Sequence, residues 1–260
     1  MIKILKYTFL DVFRSRWTIT YFLFFLISAF SLLYLSTGIE KAIISLMNIT
    51  LTIVPLISVI FGVMYYYNSR DFIELLLSQP IQRKSVFLGQ MLGISSSLIV
   101  SYFFGLMIPF TLYGLFSSSD IWNFIILIIC GILLTIIFVS LAYTISISNE
   151  NKIKGFGINI LVWLYFAVIY DGLVLLLFVS FNDYPLEKIA IIFTLLNPID
   201  ITRVMILLKL DISALMGFTG AVFNKFFGTL PGMFISFASM IAWIIICLVI
   251  TFQIARRKDF

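Results

Sequence analysis

Residues 121–147 read IWNFIILIICGILLTIIFVSLAYTISI, twenty-seven positions without one charged side chain. A helix crossing the roughly 30 Å hydrocarbon core of a bilayer needs about 20 apolar residues, so this run is long enough to span one. Working outward from it, comparable stretches occupy about 17–37, 43–67, 86–116, 157–181 and 230–254. The chain of 260 residues is 62% hydrophobic and 11% charged, with a mean hydropathy of +1.15. A soluble domain is about 45–50% apolar and about 25% charged, so a soluble fold is excluded. The expected fold is all-α and integral to the membrane, with six transmembrane helices in a single domain over residues 1–260.

Charge placement orients the bundle. With six spans and both ends of the chain on one side, that side carries twelve basic residues: Lys3, Lys6, Arg14, Arg16, Arg70, Arg83, Lys84, Lys152, Lys154, Arg256, Arg257 and Lys258. The other carries Lys41, Lys188, Arg203, Lys209 and Lys225, four of them in one long loop. Lys and Arg are retained on the cytoplasmic side of a membrane, which makes both ends cytoplasmic. The formal charge of +5 is thereby explained by topology, and no nucleic-acid partner is expected. The first apolar stretch has no Ala-x-Ala cleavage pattern and is longer than a signal-peptide core, so it is expected to remain as a span.

Several chemistries are removed by what is missing. There is no histidine, which eliminates Ser-His and Cys-His dyads and His-ligated metals. The two cysteines, Cys130 and Cys247, lie inside apolar stretches, where a buried thiol is expected rather than a disulfide framework. No Gly is followed by Lys, so no P-loop can form, and any ATP with its magnesium is handled by another chain. Nine methionines raise Cu(I) as a ligand, but they are scattered, and gap-filling in a packed core accounts for them. No metal ligand set, cofactor or catalytic residue is expected here.

Six features remain as candidates. Met1–Arg16 places Ile2, Leu5, Phe9, Val12 and Phe13 on one helical face, which suits an interfacial helix in the headgroup plane; a plain extension of the first span is the alternative. After the second span, residues 68–84 read NSRDFIELLLSQPIQRK. Asp71 and Glu74 resemble a capping pair, Phe72, Leu75 and Leu76 share a face, and Pro80 ends the helix. A short amphipathic helix of this kind either docks in a groove of a soluble partner or lies on lipid. In the third span Gly89, Gly93, Ser97, Ser101 and Gly105 recur every four residues, a stripe permitting close helix approach, within this chain or at a subunit or moving interface. Pro55 and Pro109 allow kinks.

Asp171 is the sole ionisable residue deep in a span, roughly 20 Å along the helix from Ile158 at 1.5 Å per residue. An acid there costs about 2.5–3.5 kcal/mol on insertion scales, so something must offset it. Hydrogen bonding to neighbouring helices, a substrate pathway or gate, and an external vestibule are the three readings. The loop 182–229 is external in this topology. Leu195–Asp200 reads as a turn into a helix, and Ala214–Phe227 is a second apolar run broken by Gly217 and Gly220; interfacial or re-entrant helices and a packed cap are both open.

Six spans, an N-terminal interfacial helix, a surface-helix loop after span two and no ATPase motif resemble an ABC-2 type permease, the membrane half of an ABC transporter. Within that family Phe72–Gly89 (FIELLLSQPIQRKSVFLG), Leu196–Val204 (LNPIDITRV) and Ala214–Phe223 (ALMGFTGAVF) are similar to the NosY permeases of nitrous oxide reductase maturation systems. The first motif is shared across ABC-2 permeases; only the other two argue for the subgroup. The resemblance implies a homodimer in the bacterial inner membrane, a separate cytoplasmic ABC ATPase and a periplasmic β-helical accessory protein. It implies assembly of a copper-sulfide site through a sulfur-containing species. On that pattern Asp71, Phe72, Glu74, Leu75, Gln79, Pro80 and Arg83 belong to a cytoplasmic coupling helix touching the ATPase. Asn197, Pro198, Asp200 and Arg203 shape the external surface facing the accessory protein. The rival readings are an ABC-2 exporter of a lipid, peptide or antibiotic, and a secondary transporter, for which one intramembrane acid is too few ligands.

Overall fold

A computed structural model describes residues 1–36, 38–78, 82–118, 120–181, 187–209 and 227–257. Gln79, Pro80 and the Ala214–Phe223 motif lie outside the described residues. The elements are α1 (Ile2–Phe13), α2 (Arg16–Leu35), α3 (Ile39–Asn68), α4 (Arg70–Leu77), α5 (Arg83–Leu112), α6 (Ile121–Ser148), α7 (Lys152–Leu164), a π turn (Tyr165–Ile169), α8 (Tyr170–Ser180), α9 (Glu187–Leu196), α10 (Pro198–Lys209) and α11 (Leu230–Arg257). No strand occurs among the described residues.

Six helical stretches are long and apolar enough to cross a membrane: Arg16–Leu35, Ile39–Asn68, Arg83–Leu112, Ile121–Ser148, Lys152–Ser180 and Pro231–Arg256. These are the six spans expected from hydropathy, displaced by a few residues at their ends, because polar and charged residues at the interface continue the helices. Pro55 and Pro109 sit inside α3 and α5, which run through them. α9 and α10 form a pair bent by 113°, with Pro198 in the first turn of α10, where its missing N–H costs nothing.

α6 is the axis of the packing. Its most apolar window is 61% buried, whereas that of span five, α7 to α8, is only 6% buried and that of α11 17%. Gly131 of α6 receives the Tyr102 ring of α5 so closely that an added methyl would fall 2.5 Å from the ring. Tyr102 in turn donates to the Leu127 carbonyl at 3.2 Å and meets Phe25 of α2 edge to face. Buried Tyr143 of α6 donates to Gln90 of α5, since a buried polar group needs a partner.

Three contacts gather one end of the bundle. Arg83 Nη1 donates to the Ala255 carbonyl at 3.2 Å, joining the start of α5 to the end of α11. Tyr67 Oη donates to the Asn149 carbonyl at 2.8 Å and Lys152 Nζ to Asn68 Oδ1 at 3.0 Å, joining the end of α3 to the start of α7. α1 seats on the first turns of α5. This end carries Arg70, Arg83, Lys84, Lys152 and Lys154 and is called the basic end below; the turn 113–118 lies at the other, and the α9–α10 pair reaches from that side to the Phe166 carbonyl in the middle of span five.

The small-residue stripe of α5 is spent within the chain. A methyl on Gly93 would lie 2.6 Å from Thr8 Cβ and 3.0 Å from the Leu5 carbonyl, and one on Gly105 would lie 3.0 Å from Phe25 and 3.1 Å from the Phe22 carbonyl. Gly89 and Gly93 thus seat α1, Gly105 seats α2, and Ser97 and Ser101 are buried between. Of the face expected to lie in lipid headgroups, Val12 is buried and Leu5 and Phe9 partly so, while Phe13 and Ile2 remain exposed. Gly93→Ala is expected to lower stability by about 1–3 kcal/mol, as overpacking does. Gly157→Ala, where nothing lies within 4 Å, is expected to be neutral or stabilising. Thermal unfolding of both variants in one detergent reads the difference.

Candidate functional site

The first candidate is built on α4. The chain leaves the 30-residue α3 at Asn68, turns through Ser69 and re-enters helix at Arg70. Asp71 and Glu74 do not form the expected cap. Ser69 holds the cap position with no side-chain bond to the helix, its hydroxyl donating back to the Tyr65 carbonyl at 2.7 Å. Glu74 instead accepts from Arg70 Nε at 3.0 Å, an i, i+4 pair on the helix surface. That hydrogen bond raises the Arg70 guanidinium further above its already high range.

α4 is anchored through Ile73, which is 1% exposed. Phe72 and Leu75 are 36% and 58% exposed, and Asp71 and Glu74 are exposed beside them. A helix with one buried apolar residue and an outward mixture of apolar and acidic side chains is what a partner groove recognises. Its footing is rigid: Tyr7 of α1 stacks on Phe72 at 5.4 Å, and Tyr65 of α3 donates to Thr8 of α1 at 3.3 Å. Arg83 reaches α11, so a push on α4 is shared among α1, α3, α5 and α11.

The second candidate lies toward the other end. Asp171, in the first turn of α8, accepts from Arg203 Nη1 at 2.7 Å. The same nitrogen approaches Asp200 Oδ1 at 3.2 Å, an ion-pair distance without hydrogen-bond alignment. Asn197 Nδ2 donates to Asp200 Oδ2 at 2.9 Å and to the Phe166 carbonyl at 3.0 Å. That carbonyl belongs to the π turn, whose looser bonding leaves main-chain oxygens to be captured. Tyr170 Oη donates to the Phe193 carbonyl at 2.7 Å. The α9–α10 bend is therefore clamped to span five by side chains of both charge and neutral type.

Placement differs among the residues singled out from sequence. Asp71, Phe72, Glu74 and Leu75 are brought together on the exposed side of α4, with Arg83 on the next helix. Asn197 and Pro198 are buried, so the outward surface expected of four residues narrows to Asp200 and Arg203, and both of these turn to Asp171. Their reason is electrostatic: an acid in a span is offset most cheaply by a nearby guanidinium. Sequence reasoning missed Ile73 as the anchor of α4, although its place one residue beyond Phe72 and outside the Phe72, Leu75 and Leu76 face carries that signal. It also missed the π turn, for which no residue pattern exists.

Two comparisons bear on this arrangement. The sequence model of the family described as ABC-2 family transporter protein matches residues 39–260. The probable ABC transporter permease protein NosY of Stutzerimonas stutzeri is 26% identical over 271 residues, which covers 95% of each chain.

Proposed function

This chain belongs to the ABC-2 family of transporter proteins and is a permease subunit of an ABC transporter, and from that premise we propose that α4 is its coupling helix, receiving a separate cytoplasmic ATPase. The observation that carries the proposal is the exposure of Phe72, Leu75, Asp71 and Glu74 on a helix whose other side seats buried Ile73 and partly buried Leu76 and Leu77 on the core. The basic end is the cytoplasmic side of a bacterial inner membrane, by the retention of Lys and Arg there. ATP and magnesium bind on the partner, since this sequence has no phosphate-cradling loop. ATP-driven closure of two ATPases moves α4, and α1, α3 and α5 move with it.

Two copies of this chain form the transporter. Span five supports this reading, because a window only 6% buried in one chain leaves Leu161, Val168, Leu175 and Val179 bare along a helix that a second copy can cover. The transported species is a sulfur-containing precursor for the copper-sulfide site of nitrous oxide reductase, with a periplasmic β-helical protein as accessory. The support is the NosY match across 95% of the chain and the motif at Leu196–Val204.

Mild-detergent purification of the tagged chain from its native host, followed by mass spectrometry, tests both levels. An ABC ATPase recovered with a periplasmic β-helical protein is the expected result. The ATPase without that protein, together with intact nitrous oxide reduction in a deletion strain, would replace the maturation role with export of a lipid, peptide or antibiotic. Absence of any ATPase, under conditions that keep a reference ABC transporter whole, would overturn the coupling-helix assignment.

A further inference from the structure

We propose that the groove between the α1–α2 pair and α3 is a binding site for one zwitterionic phospholipid with an ammonium-bearing headgroup. The groove encloses about 680 Å³, and its two ends differ in chemistry. At the basic end it is lined by Asp11, Ser15, Asn68 and Ser69. Further along, its walls are Phe24 of α2 and Ile53, Ile57 and Phe61 of α3. From Asn68 to Ile53 the α3 axis rises roughly 22 Å at 1.5 Å per residue, more than the about 15 Å of one leaflet's hydrocarbon. A groove that is polar at the membrane surface and apolar for a leaflet's depth has the shape and polarity of a lipid acyl chain beneath its headgroup.

Charge selects the headgroup. Asp11 is the one carboxylate among the residues lining the groove, with Tyr65 beside it, and a carboxylate attracts an ammonium and repels a second anion. Across the mouth, Asn68 Oδ1 holds Lys152 Nζ at 3.0 Å, which leaves the Asn68 amide N–H groups and the lysine beside the groove as phosphate donors. A carboxylate on the α1 side and a lysine-bound amide on the α3 side complement a phosphoethanolamine headgroup. Trp17, which also lines the groove and is 69% exposed, sits at the level where indoles anchor at the interface. The inference rests on the span assignment and not on the coupling role of α4, although the groove ends at Ser69, one residue before that helix.

The test uses the full chain reconstituted separately in phosphatidylethanolamine and phosphatidylglycerol nanodiscs, released into mild detergent, and weighed by native mass spectrometry. Wild type is expected to retain one phosphatidylethanolamine per chain and to prefer it over phosphatidylglycerol. Asp11→Asn, an isosteric change at an exposed position that leaves folding intact, is expected to lower that preference at least fivefold. Ile57→Trp, filling the middle of the groove, is expected to lower retention of both lipids at least fivefold. An unchanged preference in Asp11→Asn, or full retention in Ile57→Trp, would overturn the proposal. Direct disulfide cross-linking of two copies through Ile57→Cys would also overturn it and assign the groove to a second chain; Cys130 and Cys247 are buried and do not interfere.

Discussion

Glu74→Arg is expected to lower ATPase recovery with the permease at least tenfold while leaving the permease itself folded. The intrachain cost is small. Arg70 and Glu74 are 37% and 43% exposed, and a surface pair of this kind is worth about 0.2–1 kcal/mol. The intermolecular cost is larger, because the docking face exchanges an acid for a second cation beside Arg70, and tenfold corresponds to about 1.4 kcal/mol. Truncation of a central interface residue routinely costs more than that. The swap Arg70→Glu with Glu74→Arg restores the i, i+4 attraction but not the face, so it should rescue the melting temperature without rescuing assembly. Wild-type ATPase recovery and ATP-dependent transport in the single variant would remove α4 from the coupling role.

Arg203→Ala carries the larger expected loss of stability, about 2–3 kcal/mol. Removing one partner of a fully buried ion pair costs about 3–5 kcal/mol, since the other charge is left behind. The Asp171 and Arg203 side chains are 30% and 35% exposed within the chain, so the pair is not fully buried by protein and the expected loss lies below that range. Two carboxylates are stranded, however: Asp171 at 2.7 Å and Asp200 at 3.2 Å from the lost guanidinium. Adding Asp171→Asn should recover more than half of the loss, because the remaining acid then faces a neutral amide. Thermal melting of the two single variants and the double variant forms the cycle. Additive losses would mean that the pair does not hold the α9–α10 bend to span five.

The spans were legible because hydropathy over twenty residues is a property of composition, and Ile121–Ser148 declares itself without neighbours. α4 was legible for a related reason: Asp71, Phe72, Glu74 and Leu75 alternate polar and apolar at helical spacing between two charged turns. Its cap was not. The choice between Glu74 reaching back to the helix start and forward to Arg70 is decided by local backbone geometry at Ser69, which residue types do not encode. Asp171 announced that it needed a partner, yet Arg203 lies 32 positions away beyond a 113° bend. Only tertiary structure brings them together. The Gly89–Gly105 stripe signalled close approach while leaving open what approached, because α1 and α2 have no matching stripe of their own.

The seat of α1 has a consequence in time. Thr8 and Leu5 rest on Gly93, which is eighty positions beyond Phe13. At about 5–20 residues per second of synthesis, the helix exists for about 4–16 s before its seat is made. During that interval its apolar side lacks the α5 surface that covers it in the folded chain. Ile2 and Phe13, still exposed in the finished protein, lie on the side that such a helix would turn to lipid while its seat is being made.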